Sequence, residues 1–225
     1  MTRILAFDVN ETLLDLSALD VHFERGFGNP AVRKEWFSQV LQLAFASTVT
    51  GPYVDFGTIM RAALRVVEEK HHTSLSSDQR SGILETLGEL PPHTDAKDGL
   101  ERLRDGGLGL VALTNSTLAI ARKQLSHAGL ANYFQRIFSA DEVHRLKPAP
   151  EPYHLVAREL GVEVESIWLV AAHSWDVAGA LRAGLRAAFI ARPGQVLDEL
   201  TPKPNLIAKN LRDFAQQFLA LQQAA

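Results

Sequence analysis

The sequence predicts an α/β fold: a Rossmann-like, doubly wound parallel sheet with a helical cap inserted after the first strand. Three patterns carry that expectation. Short, largely apolar runs recur at 3–8 (RILAFD), 108–114 (LGLVALT), 135–139 (QRIFS), 166–172 (SIWLVAA) and 187–191 (AAFIA). They have the length and two-faced apolarity of strands buried in a parallel sheet. Helix-like segments separate the later runs, so strand and helix alternate from 94 to 192, the pattern of right-handed βαβ crossovers. The stretch between the first run and the second breaks this alternation and reads as helical throughout.

Each element has its own justification. The first run ends in a carboxylate, Asp8, with a hydroxyl, Thr12, four residues on. Segments 17–27, 31–48, 56–72 and 77–90 then read as four consecutive helices. A block in this position stands over the carboxyl ends of the strands and keeps water from Asp8. Linkers near 14–19 and 90–94, where Pro-Pro-His marks a turn, divide the chain into a catalytic core (1–15 and 92–225) and a cap (16–91). Residues 117–129 carry apolar positions at helical spacing and stop on Gly129. The segment 150–161 opens with Pro and ends on Gly, as helices prefer, and 175–184 forms another such unit. The final segment, 205–223, reads as a short strand or loop followed by an amphipathic helix.

Composition narrows the function. The 225 residues carry a formal charge of −3 without a basic block, which argues against nucleic-acid binding. No cysteine occurs, so disulfides, thiolate catalysis and cysteine-held zinc are excluded. No apolar run approaches the roughly 20 residues of a membrane span, and the N-terminus has no signal-peptide anatomy. A cytoplasmic location is the default expectation.

Four polar segments follow strand-like runs, where open α/β folds bind ligands. The first holds Asp8, a potential nucleophile. In the second (LTNST), Thr114 and Asn115 sit between a strand and a helix start, a donor cluster for an anion. The third (RLKPAPEPY) sets Lys147 before three prolines spaced two apart, a stiff extended backbone from which an ammonium can hold a carboxylate ionised. The fourth (WLVAAHSWDVAGA) emerges into His173 and Asp176. Each has a plainer alternative: a helix cap for Asp8, Thr114 or Asp176, a surface Lys147, a hydrogen-bonded structural His173. Convergence of all four on one spot is what those alternatives do not explain.

Together the segments resemble, over nearly the whole chain, the haloacid dehalogenase superfamily, and within it the type II L-2-haloacid dehalogenases. The Lys147-to-Tyr153 spacing, the Trp175–Asp176 pair and the cap after the first strand carry the closer likeness. The resemblance implies an Asp8 nucleophile and a covalent ester. Phosphatases of the superfamily place a second Asp two residues after the nucleophile and use Mg²⁺. Here Asn10 stands there, and a carboxamide cannot donate and recover a proton as a carboxylic acid does. Carbon–halogen displacement needs neither that acid nor a metal, so the expectation is hydrolysis of short (S)-2-haloacids to (R)-2-hydroxy acids, without cofactor or metal.

The resemblance also implies roles. Lys147 keeps Asp8 anionic, Thr12 and Asp176 orient Asp8, Lys147 and the water, and Tyr153 joins the Lys147 network. Thr114 and Asn115 hold the substrate carboxylate, and Asn115 faces the halide. Asn10, Leu41, Phe56 and Trp175 line the pocket. A homodimer is expected, with 36–45 as a candidate interface. Four positions depart from the family pattern. Phe37 stands where these dehalogenases carry a cap Arg, with Arg33 and Lys34 one turn earlier as substitutes. Ala171 and His173 replace Ser and Asn, and His173 can activate water. Glu11 occupies a position that is usually Gly. An Mg²⁺-dependent phosphatase and a non-catalytic ligand-binding descendant stay open as alternatives.

Overall fold

The computed structural model describes residues 4–223; Arg3, expected at the start of the first strand, lies outside them. Six strands, β1 (Ile4–Phe7), β2 (Gly109–Thr114), β3 (Arg136–Ser139), β4 (Ile167–Ala171), β5 (Arg186–Ile190) and β6 (Leu206–Ala208), form one sheet in the order β3-β2-β1-β4-β5-β6. Every pairing is parallel. The doubly wound expectation holds, and residues 206–208 resolve as a strand rather than a loop.

The period-2 alternation of side chains divides β1 between two cores. Leu5 and Phe7 join the larger apolar cluster, whereas Ile4 and Ala6 join the other. The order reverses at β1, the place where open α/β sheets leave a crevice for ligands. Phe7 pairs with Ala112 on one side and Val170 on the other. Asp8 therefore emerges level with the ends of β2 and β4, and their loops meet above it.

The insertion after β1 contains α1 (Asp20–Phe27), α2 (Val32–Thr50), α3 (Phe56–Lys70) and α4 (Ser77–Thr86), with single helical turns at Leu16–Leu19 and Leu87–Glu89. Ser76 and Gln79 close a capping box at the start of α4, a reciprocal pairing that satisfies two free N–H groups. Trp36 is wholly buried and donates from its indole to the Met60 carbonyl (3.1 Å), tying α2 to α3. The two linkers run side by side: the Asp15 N–H donates to Pro91 O and the His93 N–H to Leu13 O, each at 2.9 Å.

The core helices are α5 (Ala96–Asp105), α6 (Leu118–His127), α7 (Pro150–Leu160), α8 (Ser174–Arg182) and α9 (Leu211–Gln223). Only α5 was not singled out from the sequence. Its charged stretch (AKDGLERLRD) hides a narrow buried stripe of Ala96, Leu100 and Leu103. Gly99 sits mid-helix because α9 runs against it: an added Cβ would lie 2.8 Å from the Leu211 carbonyl oxygen. Helices α5 and α9 cover the Phe7 face of the sheet, and α7 and α8 cover the Ala6 face.

Candidate active site

The main-chain N–H of Asp8 still belongs to the sheet, donating to Val170 O at 3.1 Å. Its side chain leaves the sheet for a nearly enclosed site, with 5% of the residue exposed. Burial alone pushes a carboxyl group up, because the charged form loses its hydration. Here the neighbours reverse that. The Lys147 ammonium donates to Oδ1 at 2.9 Å, Thr12 Oγ1 donates to Oδ2 at 2.7 Å, and His173 Nδ1 lies 3.3 Å from Oδ2. Lys147 first, then His173 and Thr12, hold Asp8 well below the usual carboxylate range.

Lys147 is fully buried and uses all three of its N–H donors. They go to Asp8, to Asp176 Oδ2 (2.6 Å) and to the Leu113 carbonyl at the end of β2 (3.0 Å). Burial opposes the ammonium, but Asp176 and Asp8 together raise it above its ordinary value. The backbone there turns rather than running extended as the proline spacing suggested. The Lys147–Pro148 bond is cis, and the Ala149 N–H donates back to Leu146 O at 3.0 Å.

Asp176, in the first turn of α8, is sealed from solvent and has both oxygens engaged. Lys147 donates to one and the Tyr153 hydroxyl to the other at 2.6 Å. Burial raises its carboxyl; Lys147 opposes this and the Asp8 charge adds to it. Tyr153 is wholly buried. Burial and the Asp176 charge lift its phenol well above the ordinary value, so it stays a donor. Among the described residues no group of three His, Asp or Glu side chains stands in metal-holding geometry. Ammonium, hydroxyl and imidazole donors fill the oxygens of Asp8 and Asp176, a set that does not fit Mg²⁺.

The loop after β2 serves a purpose that the sequence reading did not assign. The Asn115 amide brackets the Lys147 peptide: its Nδ2 donates to Lys147 O (3.2 Å) and its Oδ1 accepts from Lys147 N–H (2.8 Å). Thr114 Oγ1 accepts from the Ser116 N–H. Asn10 is pinned, donating to Ser116 Oγ (3.3 Å) and accepting from Gln124 (3.1 Å). These side chains brace the site from behind, their polar atoms spent on one another and on the Lys147 peptide. Tyr153 meets the Lys147 network through Asp176, and Phe56, expected to line the pocket, packs within the apolar cluster.

The cavity, about 630 Å³, lies between cap and core, lined by Arg33, Lys34, Phe37 and Leu41 from α2 and by Glu11, His173, Trp175 and Arg192 from the core, with others. Phe37, Leu41 and Trp175 face it, as do the two cations one turn before Phe37, Arg33 buried and Lys34 exposed. Arg33 is buried, donates from Nε to Asp20, and holds its Nη1 3.9 Å from Glu11 Oε1. Within 36–45, Trp36, Val40 and Ala44 pack into the protomer's own core, while Ser38 and Gln42 on the same helix are exposed.

Glu11 takes up a left-handed backbone (φ 61°), a conformation that costs a non-glycine residue of order 1 kcal/mol or more. From there its Oε2 accepts from Gln195 (3.1 Å) and lies 2.9 Å from His173 Nε2. Two carboxylates thus flank the His173 ring, and both ring nitrogens must carry hydrogen to satisfy both. Burial opposes that charge, but Asp8 and then Glu11 push the imidazole up to about 9. The ring stacks on Trp175 (5.2 Å between centroids, 25°) and packs against Phe37 (6.2 Å).

Arg192 and Gln195 were missed by sequence reasoning. Arg192 follows β5, and its guanidinium donates twice to the Thr12 carbonyl (3.1 and 2.8 Å) and once to Asp95 (2.6 Å). A cation at the carboxyl end of a fifth strand was the available signal; its partners are distant in sequence.

An (S)-2-haloacid dehalogenase of Pseudomonas sp. (strain YL) is 28% identical over 95% of this chain and 93% of its own length. Haloacetate dehalogenase H-2 of Moraxella sp. (strain B) is 26% identical over 89% of this chain and 91% of its own. The crystal structure of the L-2-haloacid dehalogenase of Xanthobacter autotrophicus with chloropropionic acid covalently bound superposes with a TM-score of 0.89 at 22% identity, covering 97% of this chain and 98% of that one. The family model for haloacid dehalogenase-like hydrolases matches residues 2–184, a span from the strand that carries Asp8 to beyond the helix that carries Asp176. The chain belongs to the haloacid dehalogenase-like hydrolases.

Proposed function

We propose that the protein hydrolyses short (S)-2-haloacids to (R)-2-hydroxy acids through an ester on Asp8. One observation carries the reading: a buried carboxylate kept ionised by a fully buried ammonium, while the residue two positions on is a pinned Asn10. That site has a nucleophile and, where a phosphatase of the superfamily carries its carboxylic acid, a carboxamide that cannot cycle a proton. Asp8 attacks the halogen-bearing carbon in line, halide leaves with inversion, and water then cleaves the ester at the Asp8 carbonyl. Lys147 holds Asp8 charged and aimed; Asp176, Tyr153 and Asn115 hold Lys147; Thr12 fixes the second Asp8 oxygen. The relatives named as (S)-2-haloacid and haloacetate dehalogenases support this class of substrate.

The cavity chemistry suits a small anion with an apolar face. Phe37, Leu41 and Trp175 supply the apolar wall. With Phe37 in place of the expected cap Arg, and with Thr114 and Asn115 spent internally, Arg33 and Lys34 receive the carboxylate. The buried Trp175 indole N–H has no partner among the described residues, which leaves a donor for the departing halide. The same reading makes the protein a cytoplasmic homodimer, its mass in solution checked by light scattering. The deciding experiment is halide release from each enantiomer of 2-chloropropionate, with and without chelator. Release from the (S) form, indifferent to chelator and yielding (R)-lactate, is expected. Mg²⁺-dependent phosphate release from phosphomonoesters, with no halide released, would replace this reading with a phosphatase.

A further inference from the structure

We infer that His173, anchored by Glu11, is the acid–base catalyst of the second half-reaction, cleavage of the Asp8 ester. The inference rests on the proposed dehalogenation and adds a catalytic residue to it. Its ground is a line of three groups: Asp8 Oδ2, His173 Nδ1 at 3.3 Å, and His173 Nε2 against Glu11 Oε2 at 2.9 Å. Nucleophile, imidazole and orienting carboxylate stand in the order that activates a water by geometry and roles rather than by sequence position. Asp176 is poorly placed for the task. Both its oxygens accept strong hydrogen bonds, from Lys147 and Tyr153, and it is sealed from solvent. His173 instead lies between Asp8 and the cavity, which it helps to line.

Formation of the ester itself switches the imidazole. In the resting enzyme both ring nitrogens face carboxylates, so the ring is an imidazolium and no base. Alkylation turns Asp8 into a neutral ester, and one of the two anions that hold the proton disappears. The other charged and polar groups facing the ring or its anchor are Glu11 itself, Arg33 Nη1 at 3.9 Å from Glu11, Gln195 on Glu11, and Lys147 beyond Asp8; Phe37 and Trp175 contribute only aromatic faces. Lys147 and Arg33 keep their own carboxylates, Asp176 and Asp20, so the ring is left with Glu11 alone; His173 gives its Nδ1 proton to solvent and the halide leaves as X⁻.

The rest of the cycle balances. Neutral His173 takes a proton from water as the water oxygen bonds to the Asp8 carbonyl carbon. The bond from that carbon to the substrate oxygen breaks, and the departing 2-hydroxy acid oxygen takes the proton from His173. The Asp8 carboxylic acid then passes its proton to His173, restoring the ionised pair.

Rapid-quench turnover of (S)-2-chloropropionate by the wild-type protein, His173→Gln and Glu11→Gln tests this, with halide counted and the quenched protein weighed by intact mass spectrometry. His173→Gln is expected to release one equivalent of halide per site and then stall, with later turnovers slower by about 10²- to 10⁴-fold and the protein trapped as the Asp8 ester. Glu11→Gln keeps the ring, so it accumulates less ester and hydrolyses it more slowly than wild type. The wild-type ester-cleavage rate rises with pH to a plateau; the His173→Gln rate is flat over that range. Equal loss of halide burst and turnover with no ester, in both variants, would mean a structural role and overturn the inference. So would an unchanged turnover in His173→Gln. A wild-type protein that releases no halide at all fails the proposed function instead, and this inference with it.

Discussion

Lys147→Met gives the sharpest test of how the site is held together. The substitution keeps an unbranched chain as far as Cε and removes the ammonium that touches Asp8 at 2.9 Å and Asp176 at 2.6 Å. Two buried carboxyl groups then share a site without that cation, and one must take up a proton. Protonating an ordinary carboxyl at pH 7, about three units above its titration range, costs about 4 kcal/mol. That agrees with the roughly 3–5 kcal/mol seen when one partner of a buried ion pair is deleted. The proton comes from solvent, so the cost depends on pH. A raised carboxyl contributes stability at low pH that is lost as pH rises. The deficit of the variant against wild type should therefore be about 4 kcal/mol at pH 7 and shrink by about 1.4 kcal/mol for each unit down to pH 5. Urea unfolding of both proteins at pH 5, 6, 7 and 8 measures it. A deficit under about 1 kcal/mol at pH 7, or one that is constant across the series, would refute the picture of a cation separating two buried anions.

Other perturbations follow from the same geometry. His173 titrates at about 9 in the folded protein against 6.5 ordinarily, so its stabilisation is complete below pH 6.5 and is lost as pH rises through about 9. The loss is at most about 3 kcal/mol, and the slope should vanish in His173→Gln by chemical denaturation across that range. Tyr153→Phe removes the 2.6 Å donor to Asp176 and leaves an unpaired buried acceptor; thermal unfolding should register about 1–3 kcal/mol, with a fall in kcat. Gly179→Ala should lower both stability, by about 1–3 kcal/mol, and activity, because the new Cβ would lie 2.5 Å from the Tyr153 hydroxyl and 2.9 Å from Pro148 O; a variant as stable and active as wild type would contradict that packing.

Much of this was legible in the sequence because it depends on local pattern. Parallel strands buried on both faces leave continuous apolar runs, and polar residues just beyond them mark the carboxyl edge of the sheet. Asp8, Thr12, Lys147, His173 and Asp176 were found that way, and the structure brings them together. The helical insertion showed as the single break in alternation. What escaped depends on contacts distant in sequence. Helix α5 was concealed by its charge, since three buried side chains leave little apolar signal. Asn115 and Thr114 have residue types suited to an anion, and nothing nearby in sequence shows that the Asn115 amide is spent on the Lys147 peptide, 32 positions away. Arg192 reaches the Thr12 carbonyl, 180 positions away. Phe37, Glu11 and His173 were each visible as a departure from the family pattern. That Glu11 and His173 form a pair, with Phe37 against the ring, emerges only when loop and cap meet.

The covalent role of Asp8 is tested most directly by a single turnover in H₂¹⁸O, with enzyme in excess over (S)-2-chloropropionate and the Asp8 peptide sequenced by mass spectrometry. The mechanism predicts an unlabelled lactate, its new oxygen taken from Asp8, and ¹⁸O in the Asp8 carboxylate. Label in the lactate after that first turnover, with Asp8 unlabelled, would contradict it.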